Sequence, residues 1–342
     1  CIRDGFGWRA QHLTLHDGAA LVGALPLYLQ HNSHGEYVFD WSWAGAWERA
    51  GGDYYPKLLC AVPYSPVTGP RLLAGGGADA QPRRRMLADA LLQLARELGL
   101  SSAHANFLRE DELDAFDEAS WLPRHDWQFH WRNECGWRDF EAFLDALNHK
   151  RRKAIRHERR QVSDAGIACE FRDGGTLDDS EWRAMHDLYL ATFDEKGNTA
   201  TLTRDFFRHL GAAFPARSHV AFARRNGTIV AGALYLSSRE TMYGRYWGTR
   251  EHVPGLHFEL CYYQGIEHCL RTGLRTFEPG AQGEHKLARG FLPVRTHSRH
   301  FLSDQRFRDA VLTALRHEAA ALESYAQDLL EHSPFAHRGA PA

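Results

Sequence analysis

Between Gly280 and Gly290 the chain carries an acid, an imidazole and two cations: Glu284, His285, Lys286 and Arg289. Those residue types suit transfer of an acyl group to an amine. The nucleophilic amine must lose a proton, which Glu284 or His285 can accept, while Lys286 or Arg289 can neutralise a phosphate or a developing oxyanion. The spacing makes Glu284, His285 and Lys286 the candidate catalytic residues and Arg289 a substrate contact. Gly280, Gly283 and Gly290 would let backbone approach a ligand closely. The plainer alternative is a charged, solvated loop after a strand.

Three further groups could serve such a site. His257 and Glu259 open an apolar helix, where they either flank bound substrate or cap the helix start; Tyr262 and Tyr263 follow as core or rim aromatics. Glu36, Asp40, Trp41, Trp43, Tyr54, Tyr55, Lys57, Thr68 and Arg71 concentrate polar and aromatic groups that could line a substrate groove or finish an internal core. Lys150 to Arg160 is densely basic, opposed only by Glu158. Lys150, Arg151, Arg152 and Arg156 are its candidate anion contacts, although such runs are commonly solvated helix faces and base-stacking aromatics are missing. His34-x-Glu36 and His257-x-Glu259 lack established metal-ligand spacing, so no metal is expected. No G-x-S-x-G occurs, which leaves direct transfer to the amine.

The elements that must position these residues occur twice. Asp17-Gly18 precedes Leu21 to Leu29, and Asn226-Gly227 precedes Ile229 to Leu236, each run with a central Gly-Ala pair. Both read as β-hairpins, because Asp-Gly and Asn-Gly supply the positive φ of tight turns. A helix over residues 82–98 stops at Gly99, and one over 256–272 stops at Gly273; strands follow at Ser101 to Leu108 and Arg275 to Glu278. Between the copies, Trp137 to Leu147 reads as an amphipathic helix, and the basic stretch continues helically to Gly166 before a strand at Ile167 to Phe171. Later helices are expected at 180–193, 203–213 and 304–331. The alternation implies an α/β fold in two domains, 1–145 and 146–342, the second opened by the basic helix.

Composition agrees. With 44% hydrophobic and 12% aromatic residues the chain can bury large cores, and 342 residues exceed what one core usually supports. The 41 basic and 43 acidic residues leave a net charge of −2, so any nucleic-acid contact must be local. Six scattered Cys without a C-x-x-C pair fit a reducing cytoplasm, and no apolar run spans a bilayer. The first residue is Cys1 rather than Met, which leaves a truncated N-terminus or a removed leader open.

Longer motifs then carry a resemblance. Gly35 to Trp41, Tyr54-Tyr55-Pro56-Lys57-Leu58 and Pro66 to Leu73 in the first half resemble the FemAB-like N-acyltransferase family of peptidoglycan biosynthesis or recognition. So do Gly244-Arg245-Tyr246-Trp247-Gly248, Leu256 to Tyr263, and Gly280-Ala281-Gln282-Gly283-Glu284-His285-Lys286 with Ala288 to Phe291. The resemblance implies tandem GNAT-type α/β domains with mixed central sheets flanked by helices. It adds Gln282, Arg245 and Trp247 to the substrate contacts. It implies aminoacyl-tRNA or acyl-CoA as co-substrate, and a small-molecule or peptidoglycan-precursor amine as acceptor. A non-catalytic GNAT-fold module binding a cell-wall fragment is the rival reading. The Gly-rich turn that grips CoA pyrophosphate in ordinary GNAT enzymes is absent; Gly248 to Leu256 stands in its place.

Overall fold

The computed structural model describes residues 5–281 and 283–336. After β1 (Trp8–Ala10), the Asp17-Gly18 turn joins β2 (Leu13–Asp17) antiparallel to β3 (Ala20–Leu25), with Gly18 at φ +56°. β4 (Leu27–Gln30), α1 (Trp41–Arg49), β5 (Lys57–Cys60), α2 (Ala80–Glu97), β6 (Ser102–Leu108) and β7 (Leu122–Arg132) follow. Gly99 ends the α2 segment with positive φ, as its position predicts.

The basic stretch does not continue the preceding helix. α3 (Phe140–Ala146) ends where Leu147 becomes extended, and the Asn148 side chain accepts from the Arg151 amide to start α4 (His149–Asp164) afresh. The chain goes on through β8 (Ile167–Asp173), α5 (Asp179–Glu195), α6 (Arg204–Ala213), β9 (Ser218–Arg225), β10 (Thr228–Ser237) and β11 (Thr241–Thr249). The Asn226-Gly227 hairpin lies between β9 and β10, both turn residues at positive φ. Next come α7 (Leu256–Phe258), a π-helical turn (Glu259–Tyr263) and α8 (Gln264–Thr272), forming one helical segment. β12 (Thr276–Glu278), a 3-10 turn (Glu284–Arg289), β13 (Leu292–Leu302) and α9 (Gln305–Glu331) complete it.

Contacts divide the chain at other points than residue 145. Unit 1 takes the described residues up to Trp127 together with Arg295–Gln327; unit 2 takes Gln128–Val294 and the described residues from Asp328. The physical reason is strand sharing: β13 pairs antiparallel with β6, so sequence from the C-terminal third completes the first sheet, a pairing no local pattern announces.

In unit 1, β1, β4, β5, β6 and β13 lie side by side. Leu58, Cys60, Ala103 and Ala105 pack under Leu87, Leu91 and Ala95 of α2. Trp43 of α1 and Val311 and Leu315 of α9 form a separate core with Tyr54 and Leu302. In unit 2 the order is β7, β12, β11, β10, β9, β8. β11 and β12 are parallel, while β10 is antiparallel to both of its neighbours. α5 lies directly on β11: a Cβ at Gly248 would meet the Leu188 carbonyl oxygen at 2.0 Å, so only glycine permits the contact. Both units are thus α/β, with mixed sheets and flanking helices.

Candidate active site

The parallel pairing of β11 with β12 runs from Thr241–Thr276 to Tyr243–Glu278 and stops there, while β11 continues to Thr249. Beyond Glu278 the chain turns through Gly280 and Gly283, both at positive φ, into the Glu284–Arg289 turn. The α7–α8 segment faces this turn. Its π-helical turn widens one winding, and both Tyr262 and Tyr263 are buried, where a regular helix would aim consecutive side chains about 100° apart.

Tyr262 and exposed His285 lie 2.8 Å apart, phenol oxygen to Nε2. Burial raises the Tyr262 phenol well above its ordinary range, so the hydroxyl stays protonated and donates to His285. Desolvation, then Arg289 and Lys286, lower the His285 imidazole, which favours the neutral acceptor. His257 stands edge-on to Tyr262 and to Trp247, and burial followed by the charges of His285 and Arg289 brings its pKa to about 4. Lys286 is 2% exposed and donates to the Gly280 carbonyl at 2.6 Å. Burial lowers its ammonium to about 8, so near neutral pH it can give or hold a proton. Arg245 stacks over Tyr246, and Glu284 is exposed at the head of the turn. Gln282 lies outside the described residues.

Two expected substrate contacts are instead taken up inside the protein. Arg289 is paired with Glu158 of α4 at 2.6 Å, donates to the Tyr263 hydroxyl and the His285 carbonyl, and covers the Phe258 ring. Glu259 is held by both branches of Arg159 at 3.0 Å and by Gln264. These side chains fix the turn and the helix start, whereas no ion pair engages His257, His285 or Lys286 among the described residues. Arg289→Met should therefore destabilise unit 2 by about 2–4 kcal/mol in urea unfolding, as for a broken, mostly buried ion pair. A loss of turnover with unchanged unfolding would instead return Arg289 to substrate.

Sequence reading missed Glu278 and its neighbours. Thr276 and Phe277 pair with Arg132 and Trp131, so Glu278 and His130 occupy the next opposed positions, on the face that also carries Arg132. Among the described residues, no group hydrogen-bonds the buried Oε2 of Glu278, and burial, opposed by Arg132, raises its carboxyl to about 8. Burial, then Arg132 and Lys286, lower His130 to about 3. A charged residue ending a short apolar strand was the available signal.

In unit 1 the expected groove residues are interior. Lys57 lies 2.8 Å from Glu36 and 2.5 Å from Asp40, with all three side chains at most 2% exposed. Ser33 bonds Asp40, Lys57 and the half-buried Tyr55, while the Tyr54 hydroxyl donates to Asp40 at 2.6 Å. His104 and His300 share a 2.7 Å bond between their Nδ1 atoms. Burial raises Glu36 and Asp40 alike, but Lys57 holds Asp40 far below its ordinary value, so Glu36 keeps its proton and Asp40 carries the charge. Arg71 is also spent internally, donating to the carbonyls of Val67, Gly69 and Asn106. Of this group Trp41 is exposed, stacked on Phe39 at 4.3 Å.

On α4, Arg152 pairs with Asp145 at 2.7 Å and Arg156 with Glu141 at 2.5 Å, whereas Lys150 is exposed and Arg151 half-buried. Exposed pairs of this kind are weak and yield readily to a polyanion. Among the described residues, no helix is long and apolar enough to cross a membrane.

No curated protein matches the chain significantly. Several solved structures do. A crystal structure of FemX has a TM-score of 0.53 at 10% identity, covering 90% of this chain and 91% of that one. The C-terminal domain of a putative lysylphosphatidylglycerol synthetase from Agrobacterium fabrum has a TM-score of 0.52 at 10% identity, covering 86% and 85%. L-PGS from Bacillus licheniformis scores 0.52 at 9% identity, covering 85% of each. At such identities the likeness is one of fold. The family described as peptidoglycan biosynthesis/recognition matches residues 1–337. By that match the chain, an α/β protein with mixed sheets flanked by helices, belongs to the FemAB-like family.

Proposed function

We propose that unit 2 transfers an aminoacyl group from an activated ester, aminoacyl-tRNA, to the amine of a peptidoglycan precursor. The observation that carries this reading is the set of Lys286, His285, Tyr262 and His257 gathered where β11 and β12 part. Lys286 would place a positive N–H group beside the developing oxyanion. His285, neutral and oriented by Tyr262, would remove the second proton from the attacking nitrogen. Holding ester and amine together supplies much of the remaining acceleration.

Acyl-CoA is the second donor to weigh, and the helix start speaks against it. CoA enzymes grip pyrophosphate with open amides at this point, but here Gly255 is pressed on α4: a Cβ there would meet the Glu158 carbonyl oxygen at 2.7 Å. The basic α4 suits a tRNA backbone.

Thermal unfolding with charged tRNA, uncharged tRNA and acetyl-CoA tests the donor. Charged tRNA at a hundredfold its Kd should stabilise the chain by about 2.7 kcal/mol, and Lys150→Gln with Arg151→Gln should weaken that effect. Stabilisation by acetyl-CoA alone would transfer the reading to a CoA-dependent enzyme. A precursor that binds but accepts no acyl group from any donor would leave the non-catalytic module.

A further inference from the structure

We propose that Glu278 is the catalytic base that receives the acceptor's proton, so that the acceptor enters unit 2 as a primary ammonium ion and is deprotonated in place. The inference rests on the acyl-transfer reading above.

Three observations converge on this residue. Glu278 contributes the last paired position between β12 and β11, and so sits where the two strands diverge. Its Oε2 is buried without a hydrogen bond from any described residue, although buried carboxyl oxygens are ordinarily partnered. Among the described residues, the strand positions opposed to it bring no second carboxyl: Arg132 and His130 face it from β7, Tyr243 from β11, and Lys286 binds Gly280 just beyond it. Arg132 already has Glu134 at 3.6 Å, and His130 is held neutral. An ammonium ion is the ligand that satisfies a lone desolvated carboxylate in charge and in hydrogen bonds.

The step balances. The acceptor R–NH3+ gives one proton to the Glu278 carboxylate, and the resulting R–NH2 forms a bond to the ester carbon. The ester C–O bond then breaks, and the second nitrogen proton passes through His285 to the departing oxygen. The products are an amide, the free hydroxyl of the donor, and one proton on Glu278 that returns to solvent. Because burial sets the Glu278 carboxyl to about 8, its base form grows as pH rises toward 8, while the Lys286 ammonium, also at about 8, is lost beyond it, so the rate should rise toward 8 and fall above.

The test uses the full chain, tRNA carrying radiolabelled amino acids, and a muropeptide with a free lysine side chain. At pH 7, E278Q should transfer at least about a hundredfold more slowly than the unsubstituted protein, and its rate should lose the rise toward pH 8. Difference infrared spectra between the two proteins should show a protonated carboxyl that titrates near 8. E278Q within threefold of the unsubstituted rate, with the pH limb intact, would overturn the assignment while leaving acyl transfer standing. If the unsubstituted protein moves no label to the amine, the transfer reading fails and the assignment falls with it.

Discussion

Lys286→Met is expected to lower transfer about a hundred- to a thousandfold while leaving the fold intact. The magnitude is that of removing one well-placed oxyanion donor. The stability prediction follows from its surroundings: Lys286 is 2% exposed, bonds a backbone carbonyl rather than a carboxylate, and is lowered to about 8 by burial. Met fills nearly the same volume without a charge to desolvate. In the unfolded chain the ammonium titrates near its ordinary 10.5, so the folded state holds that proton more weakly. Ionised Lys286 therefore costs the fold about 3 kcal/mol below pH 8, a cost that fades as pH rises from 8 toward 10.5. Urea unfolding of the two proteins should show the unsubstituted chain gaining on the Met variant across that window. A Met variant that unfolds more easily at pH 7 and keeps full transfer would make Lys286 a structural residue.

Lys57→Met should have the opposite signature. Here the ammonium is the counter-charge for Asp40 beside a protonated Glu36, and removing it leaves Asp40 ionised in the interior or forces it to take a proton. Breaking a buried pair in this way costs about 3–5 kcal/mol, enough to open unit 1 in much lower urea. His104 does not compensate, because burial first and Lys57 second lower it to about 3. The triple change Lys57→Met, Asp40→Asn, Glu36→Gln removes every charge at once and should recover much of the loss. Limited proteolysis locates the effect: early cuts should fall between residues 30 and 60. An unchanged unfolding midpoint for Lys57→Met would mean that Lys57 is solvated and free to meet a ligand.

The contrast between these two lysines shows where the sequence was readable. Turn chemistry is local, so Asp17-Gly18 and Asn226-Gly227 announced their hairpins, and Gly99 and Gly273 announced helix ends. The strand exchange that brings β13 beside β6, and so His300 against His104, depends on register between distant segments and left no local mark. Glu278 was missed for the same reason: what makes it chemically distinctive is β7 beside it and the absence of a partner, neither of which adjacent residues encode. Glu36, Asp40, Lys57 and Arg71 left a groove and an internal core equally open because charged residues are seldom buried, and only the three-dimensional pairing makes their burial tolerable. Of the Glu284–Arg289 cluster, proximity was legible; that Arg289 turns inward to Glu158 while Lys286 is left without a carboxylate was not.

Amide formation in unit 2 from an activated ester and an amine is open to direct measurement. Its most direct test is a single-turnover assay with radiolabelled aminoacyl-tRNA and a lysine-bearing muropeptide, scored for label that survives mild alkali, since the ester is cleaved there and the amide is not. Alkali-stable label is expected on the muropeptide, largely abolished by Lys286→Met. Label that remains on tRNA or appears only as free amino acid, with acetyl-CoA in parallel also yielding no amide, would contradict it.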